Sequence, residues 1–288
     1  MTETPSESAQ GESAQQRTYP PGVPCWVETP QPDPGAAAGF YGELFGWTIT
    51  NVGGDDVPYL IASLDGRDVA AISRAPGDAA GGPAWETYVA VSNADDAAAA
   101  VTAAGGQVTG GPFDAGETGR SVSCADPAGA AFLLWEAGNY PGAQLVNHPG
   151  SWNFSHLHAA DQAQARQFYS AVFGWQFTDP PFGGWTWIQV PGYGDHLAAT
   201  VDPGIRDRQA NAPAGFADVV GGLMPAEAGQ AYWQVTFSVA DRDAAVATAG
   251  KLGATVLGES ENRFTKLADL RDPQGAAFTV SQFLGVRS

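Results

Sequence analysis

The chain carries three of its four histidines within a short stretch, at His148, His156 and His158. His156 and His158 are separated by one residue, and this spacing places two side chains on the same face of a β-strand. Imidazole titrates near neutral pH, so either residue could act as a general acid or base in an enolisation, an elimination or a ring closure. The alternative is that both are hydrogen-bonded polar residues lining a wet groove.

Two glutamates and two tryptophans could add to a binding site. Glu28 and Glu86 lie in separate strand-like runs, and on neighbouring strands their carboxylates could share a proton or bind a cationic group. The alternative is two solvated acids near the mouth of a pocket. Trp185 and Trp187 flank Thr186, so one strand face carries both rings, which could stack on a planar ligand or pack against a helix.

The composition argues against several kinds of partner. The 288 residues include 31 acidic and 13 basic side chains, for a net charge of −18. Such an acidic surface repels phosphate backbones and anionic lipid, so we expect neither nucleic acid nor a membrane as partner. Cys25 and Cys124 are too few for a disulfide scaffold. The first 18 residues are polar and lack the apolar run of a secretory signal, so we expect a disordered tail over residues 1–20 and a cytoplasmic location.

A long internal repeat organises the chain. The segment FYGELFGW at 40–47 recurs as FYSAVFGW at 168–175, and DPAGAAF at 126–132 recurs as DPQGAAF at 272–278. The number of residues that separates equivalent positions of the two halves increases between Trp175 and Trp233. We expect the additional residues in the loop-like stretch 204–230, which could fold over a pocket as a lid.

Each half divides again into two similar modules. In the first half, strand-like runs at 25–29, 59–64, 69–74, 86–91 and 130–135 surround helical patterns that start near Pro34 and Asp95. In the second half, the helices are predicted near 162–173 and 242–252. The order predicts an α+β fold of four βαβββ modules, paired into two domains at 21–138 and 151–288 with a linker at 139–150. Each domain would be a curved mixed sheet that forms a cup, with its helices outside the cup.

These motifs resemble a known family. The helix ending in FGW, the Ala-rich helix ending in Gly-Gly or Leu-Gly and the DPxGAxF turn are similar to two-domain proteins of the vicinal oxygen chelate (glyoxalase/bleomycin-resistance) superfamily. The resemblance extends from Gly22 to Leu284. It implies the fold, and a function among isomerases, lyases, ring-cleaving dioxygenases, epoxide-opening enzymes and metal-free binders of antibiotics.

The resemblance also locates the positions at which metal-using members carry His, Glu or Gln. Those positions fall on Trp26, Glu86 and Leu133 in the first half, on Phe154, Gln234 and Thr279 in the second, and near Ala71 and Ala199. Indole, phenyl and aliphatic groups do not ligate a divalent metal, so we expect no metal and no cofactor. The alternative is a relocated site formed by His156, His158 and His196.

Strand alternation predicts which side chains face each cup. The first cup would contain Trp26, Glu28, Glu86, Tyr88, Leu133 and Trp135, and the second Phe154, His156, His158, Gln234, Thr236, Thr279 and Ser281. We take His156 and His158 as candidate catalytic residues. The candidate substrate-binding residues are Gln234, Thr236, Thr279, Phe154, Trp187, Glu28, Glu86, Tyr88 and Trp135.

The sequence therefore favours a metal-independent lyase, isomerase or cyclase that acts on a small, aromatic molecule through the second cup. One alternative is a non-catalytic protein that sequesters a planar hydrophobic compound. Another is a metal-dependent family member with the relocated histidine site. We expect a small-molecule partner and a monomer or homodimer.

Overall fold

The first half of the chain forms one eight-stranded sheet with two helices. The computed structural model describes residues 16–54, 56–76, 82–180, 184–210 and 212–285. In chain order the elements of this half are β1 (Pro24–Gln31), α1 (Pro34–Phe45), β2 (Thr48–Asn51), β3 (Tyr59–Leu64), β4 (Arg67–Arg74), β5 (Glu86–Ala90), α2 (Ala94–Ala103), β6 (Gln107–Asp114), β7 (Gly119–Ala125) and β8 (Ala131–Ala137).

The second half repeats this arrangement with two additional short helices. Its elements are β9 (Trp152–Ala159), α3 (Gln162–Phe173), β10 (Gln176–Thr178), β11 (Thr186–Gln189), α4 (Tyr193–Ala199), α5 (Ile205–Arg208), β12 (Val219–Pro225), β13 (Ala231–Ser238), α6 (Arg242–Lys251), β14 (Thr255–Glu261), β15 (Thr265–Arg271) and β16 (Ala277–Phe283).

The two sheets have equivalent strand orders, β2-β3-β4-β1-β5-β8-β7-β6 and β10-β11-β12-β9-β13-β16-β15-β14. Within each sheet two modules join through an antiparallel pair at the centre, β1 with β5 and β9 with β13. The predicted α+β fold of four modules in two similar domains is confirmed. We call the sheet face turned away from the helices cup 1 in the first domain and cup 2 in the second.

Local sequence explains where the first helix of each domain begins and ends. The side chain of Asp33 accepts a hydrogen bond from the backbone of Ala36, and Pro34 occupies the first turn, where its missing N–H costs nothing. The helix α1 stops at Gly46, whose φ of 74° is a left-handed conformation that suits glycine. Asp161 and Gly174 cap α3 in the same way.

The helices lie outside the cups but between the two domains. The side chains of α1 pack on the second domain, where Phe45 contacts Phe237 with ring centroids 4.8 Å apart. Phe40 of α1 contacts Phe278 of β16, and Phe168 of α3 contacts Phe132 of β8 in the equivalent place. The sheets also meet directly, because Thr87 and Ser155 share a hydrogen bond of 2.7 Å. The repeated aromatic residues therefore form the core between the domains.

Buried hydrogen bonds link the two halves in a reciprocal pattern. Trp85 Nε1 donates to the Tyr41 hydroxyl at 2.9 Å, and this hydroxyl donates to Asp272 Oδ2 of the other domain at 2.8 Å. The equivalent chain runs from Trp233 to Tyr169 at 3.1 Å and on to Asp126 at 3.2 Å.

The tryptophans that end the FGW motifs make a second reciprocal pair of contacts. Trp47 Nε1 donates to the carbonyl of Gly150 at 2.6 Å, and Trp175 Nε1 donates to the carbonyl of Gly22 at 2.7 Å. Each acceptor lies just before the first strand of the opposite domain. The repeated motifs therefore fix the position of the strands that carry the candidate site residues.

The additional residues of the second half lie earlier than predicted. They occupy the connection between β11 and β12 and contain α4 and α5, whereas residues 219–225 of the stretch expected to be a loop form β12 beside β9. The counterpart of Ala71 is consequently Gly222 and not Ala199. Ala71 pairs with Glu28, and Gly222 pairs with the equivalent His156.

The end of the predicted N-terminal tail packs on the protein. Residues 1–15 lie outside the described residues. Tyr19 donates a hydrogen bond to the carbonyl of Ala143 at 2.6 Å, and Thr18 contacts the imidazole of His196 at 3.3 Å. Composition alone assigned residues 16–20 to the tail, but these contacts anchor them. Among the described residues, no helix combines the length and the hydrophobicity of a membrane span.

We predict that Tyr169→Phe lowers the free energy of unfolding by about 1–3 kcal/mol, because it leaves a buried indole N–H and a buried carboxylate oxygen without their partner. Tyr41→Phe should cost less, since Asp272 Oδ2 keeps a hydrogen bond from Gln31. Urea unfolding measures both.

The control is Tyr232→Phe. Its side chain is 40% exposed, and its hydroxyl makes no hydrogen bond with a described residue. The change should stay within about 0.5 kcal/mol. Equal stabilities for Tyr169→Phe and Tyr232→Phe would contradict a structural role for the link between the domains.

Candidate functional site

A buried carboxylate lies on the floor of cup 1. Glu28 is only 7% exposed, and its two oxygens accept hydrogen bonds from the hydroxyls of Tyr59 at 2.9 Å and Ser73 at 3.2 Å. Burial raises the pKa of Glu28, while the hydroxyls of Tyr88, Tyr59 and Ser73 oppose this shift. The sequence placed Glu28 near the mouth of a pocket in one interpretation, whereas the structure buries it.

Glu86 lies directly opposite Glu28 on the neighbouring strand. Burial, and then the charge of Glu28, raise the pKa of Glu86 to about 7. Neither glutamate forms an ion pair with a described Lys or Arg, and no such residue is among the groups that shift either pKa. Two opposed carboxyl groups with raised pKa values thus lie on this face with no basic side chain of the described residues beside them.

Aromatic side chains surround this carboxylate pair. Trp26 packs edge-to-face on Tyr140 with ring centroids 5.5 Å apart, and Tyr88 packs on Trp135 at 6.3 Å. Trp26 and Tyr88 are paired across β1 and β5, in the row next to the glutamates. Tyr140 comes from the segment between the domains and donates a hydrogen bond to Asp68 at 2.9 Å.

In cup 2, His156 takes the position of Glu28. It pairs with Gly222 on one side and with Gln234 on the other. Burial, and then the nearby His158, lower the pKa of His156 to about 4, so its imidazole is neutral at pH 7. Phe154 and Trp185 pack against the ring, with centroids 6.1 and 5.1 Å away.

His158 occupies a more open place on the same strand face. Its ring stacks on Tyr232, with centroids 4.6 Å apart and an interplanar angle of 4°. Burial lowers the pKa of His158, but the carboxylate of Asp269 and the backbone of Pro225 oppose that shift. Of the two predicted catalytic residues, only His158 has a carboxylate among the groups that shift its pKa.

A chain of polar groups crosses cup 2 beside the histidines. Gln234 Nε2 donates to Thr279 Oγ1 at 2.6 Å and to Asp269 Oδ1 at 3.0 Å, and Thr279 Oγ1 donates to Asp269 Oδ1 at 2.6 Å. Thr236 pairs with Thr279 and with Phe154, so it belongs to the same face. The cup thus holds neutral imidazoles, an amide, hydroxyls and one carboxylate.

The two tryptophans of the β11 region have different surroundings. Trp187 pairs with Gly222, which in turn pairs with His156 on the next strand. It is buried, and its ring packs on Phe216 from the additional segment. The ring of Trp185 packs on that of His156. The additional segment thus reaches one wall of cup 2.

The sequence analysis did not identify Tyr59, Ser73, Tyr140 or Asp269 as site residues. Tyr59 and Ser73 are paired across β3 and β4, and Asp269 is paired with Thr279. Strand alternation would have placed the side chains of Ser73 and Asp269 on the cup faces if the pairing of β4 with β1 and of β15 with β16 had been known. No sequence signal connects Tyr140 with the cup, because its position depends on the path between the domains.

The donor set of neither cup fits the metal site of the family. The positions at which metal-using members carry ligands hold Trp26, Glu86 and Leu133 in cup 1. In cup 2 they hold Phe154, Gln234 and Thr279. Gln234 and Thr279 are already hydrogen-bonded to each other and to Asp269. Across the described residues, no three His, Cys, Asp or Glu side chains lie together so that they could hold a metal ion.

The relocated three-histidine alternative does not match the structure. His196 lies on α4, where its Nε2 contacts the hydroxyl and the carbonyl of Thr18 at 3.3 and 3.1 Å. Its ring stacks on Tyr193. The short helices that occupy this connection hold His196 away from His156 and His158.

Comparison with known proteins gives matches for both halves. Residues 155–281 match the family described as "Glyoxalase-like domain", and residues 26–134 match "Glyoxalase/Bleomycin resistance protein/Dioxygenase superfamily".

Two relatives align with most of the chain. CFP32 of Mycobacterium tuberculosis, which carries a glyoxylase name, is 36% identical over 269 residues that cover 91% of this chain and 95% of the relative. The anthracycline biosynthesis protein DnrV of Streptomyces peucetius is 35% identical over 277 residues that cover 91% of this chain and 94% of the relative.

Among solved structures, the Mn(II)-bound glyoxalase from Novosphingobium aromaticivorans has a similar fold. Its TM-score is 0.58 at 15% identity, covering 91% of this chain and 82% of that protein. At this identity the likeness extends to the fold alone.

We predict that Glu86 makes the folded protein less stable as the pH rises from about 5 to 8. The folded-state pKa of Glu86, about 7, exceeds its ordinary value of 4.5, so this carboxyl group binds more protons in the folded state than in the unfolded state in this range. The stabilisation is present below pH 4.5 and is lost as the pH passes through about 7. The effect should be on the order of 1–3 kcal/mol.

Thermal unfolding across this pH range tests the prediction, with Glu86→Gln as the decisive variant. Its Tm should exceed that of the wild type at pH 8, and the difference between the two proteins should shrink as the pH falls to 5. The matched control is Glu43→Gln, at an exposed position on α1. Identical pH profiles for the wild type and Glu86→Gln would show that Glu86 does not titrate as described.

Proposed function

Because the chain belongs to the glyoxalase/bleomycin resistance protein/dioxygenase superfamily, we propose that it is a metal-independent lyase, isomerase or cyclase that moves a proton on an aromatic small molecule in cup 2. The superfamily fold hosts several chemistries, so the proposal depends on the side chains of the site. The observation that supports it most is the arrangement of His156 and His158 on one strand face, beside the Gln234–Thr279–Asp269 chain.

In this proposal His158 carries the proton. Its half-buried ring lies on the cup face, and the carboxylate of Asp269 favours its charged form. A base that gains a proton in a partly desolvated site needs such a nearby negative charge. Stacking on Tyr232 holds the imidazole plane in one orientation.

The polar chain opposite the histidines would orient the substrate. Gln234 uses its amide N–H in hydrogen bonds to Thr279 and Asp269, which fixes the amide and leaves its carbonyl oxygen free of described partners. Fixed dipoles of this kind position a substrate hydroxyl without further reorganisation. Replacing Asp269 should therefore disturb both the proton carrier and the orienting group.

Aromatic walls support a planar substrate. Phe154 and Trp185 pack at one end of the histidine pair, and Tyr232 packs at the other. Planar ligands gain offset stacking and edge contacts from such rings. The name of the relative DnrV, an anthracycline biosynthesis protein, also points to a polycyclic aromatic compound.

Solvent-deuterium incorporation offers a general test, because a lyase, isomerase or cyclase of this kind exchanges a substrate C–H proton with water. We expect the wild type to incorporate deuterium from D2O into at least one member of a panel of hydroxylated anthraquinones and tetracenequinones, detected by mass spectrometry. His158→Gln should reduce kcat about 100- to 10,000-fold.

The control for this experiment is His148→Gln, which makes the same replacement at a histidine outside both cups. It should retain wild-type activity. Dialysis against EDTA and addition of Mn²⁺ should leave the rate unchanged. Panel compounds that bind without any deuterium incorporation, or a rate that requires the metal, would contradict the proposal.

Cup 1 favours a second candidate function, non-catalytic binding of a cationic aromatic compound. The specific observation is the opposed pair of Glu28 and Glu86, which has no described basic partner and is bordered by Trp26, Tyr88 and Trp135. An organic ammonium ion would neutralise the carboxylates and lie against the negative faces of the rings. This arrangement needs no activated group.

A matched pair of probes tests the binding role. At pH 8 we expect 9-(aminomethyl)anthracene to bind about tenfold more tightly than 9-(hydroxymethyl)anthracene, because a charge-assisted hydrogen bond replaces a neutral one. Fluorescence titration measures the preference. It should vanish in the double variant Glu28→Gln/Glu86→Gln and persist in Glu43→Gln. Equal affinities of the two probes for the wild type would eliminate this candidate.

A further inference from the structure

The two ring nitrogens of His156 have different surroundings. Nδ1 is fully buried and has no hydrogen-bond partner. Nε2 also makes no hydrogen bond with a described residue, yet it is not among the buried atoms that lack a partner, so it is not fully buried. One nitrogen is therefore sealed, and the other keeps some exposed surface.

Gly222 creates the sealed side. A Cβ at this position would lie 2.5 Å from His156 Nδ1 and 2.4 Å from Trp185 Cε3, closer than real Cβ contacts. The absence of a side chain lets the imidazole and the edge of the indole occupy the same corner of the cup. No room remains beside Nδ1 for a polar partner.

The sealed corner determines which nitrogen carries the proton. Nδ1 is buried there and has no acceptor, and the ring of Trp185 stands perpendicular to the imidazole, at 89°. A proton on Nδ1 would be a buried donor without an acceptor, whereas a proton on Nε2 remains available to water or to a ligand. The neutral ring therefore keeps its proton on Nε2.

We propose that His156 positions the ligand in cup 2, and that its Nε2–H donates a hydrogen bond to a carbonyl or phenolate oxygen on a planar aromatic ring. The inference rests on the proposed function only in taking cup 2 as the ligand site. It separates the two histidines, because His158 exchanges a proton with the substrate while His156 stays neutral and binds a substrate oxygen.

The tautomer of the ligand-free protein is the first test. Long-range ¹H–¹⁵N correlation spectra of the full chain at pH 7.5 distinguish a proton on Nε2 from one on Nδ1, and His156→Gln assigns the resonances. We expect a neutral ring protonated at Nε2. A ring protonated at Nδ1 would overturn the proposal, whatever the activity of the protein.

Binding of a matched probe pair is the second test. We expect the wild type to bind 2-(hydroxymethyl)anthraquinone about 3- to 10-fold more tightly than 2-(hydroxymethyl)anthracene, which lacks the ring carbonyls. His156→Phe keeps a planar ring but no donor, and it should abolish the preference. His156→Gln places an amide N–H near the position of Nε2 and should restore part of it.

The same titrations separate this inference from the proposed function. The His158→Gln variant should keep the preference for the quinone, because that variant retains the Nε2 donor and the probe needs no turnover. If the wild type incorporates no deuterium but keeps the preference for the quinone, His156 would be a ligand-positioning residue in a binding protein. No preference in the wild type, or the same preference in His156→Phe, would overturn the proposal.

Discussion

Two buried hydrogen-bonded chains, Trp85–Tyr41–Asp272 and Trp233–Tyr169–Asp126, join the halves of this molecule. Asp272 and Asp126 are 5% and 4% exposed, and each also receives backbone N–H groups of its own turn. A buried carboxylate needs these donors, because burial without them would cost several kcal/mol, on the order of the stability of a domain. The turn of one domain is therefore completed by a helix of the other.

This constraint determines how the cups are presented. The two hydrogen-bonded chains occupy the same layer as α1 and α3. Because the helices fill the space between the sheets, the cup faces turn away from each other. Each cup is built on a strand, β1 or β9, that starts next to a carbonyl bound by an FGW tryptophan. The core between the domains thus sets the position of the candidate sites without contributing side chains to them.

The same framework supports two different chemistries. Glu28 and His156 are equivalent, as are Glu86 and Gln234, and the pairing across the central strands is the same in both cups. Desolvation acts on both sites, but it favours the protonated form of a carboxyl group and the neutral form of an imidazole. Desolvation therefore raises the pKa of both acids in cup 1, whereas it keeps the imidazole of His156 in cup 2 neutral at pH 7.

The sequence by itself determined the four modules, the strand faces of Trp26, Glu28, Phe154, His156 and His158, and the helix boundaries at Asp33 and Gly46. Alternation, capping and the repeat are local patterns, and one chain displays them fully. Only the tertiary structure decided that Tyr59, Tyr140 and Asp269 join the cups, that Gly222 and not Ala199 faces His156, and that His196 lies elsewhere. These outcomes depend on strand pairing, on the path of the additional segment and on packing between the domains, which bring together residues with no regular spacing in sequence.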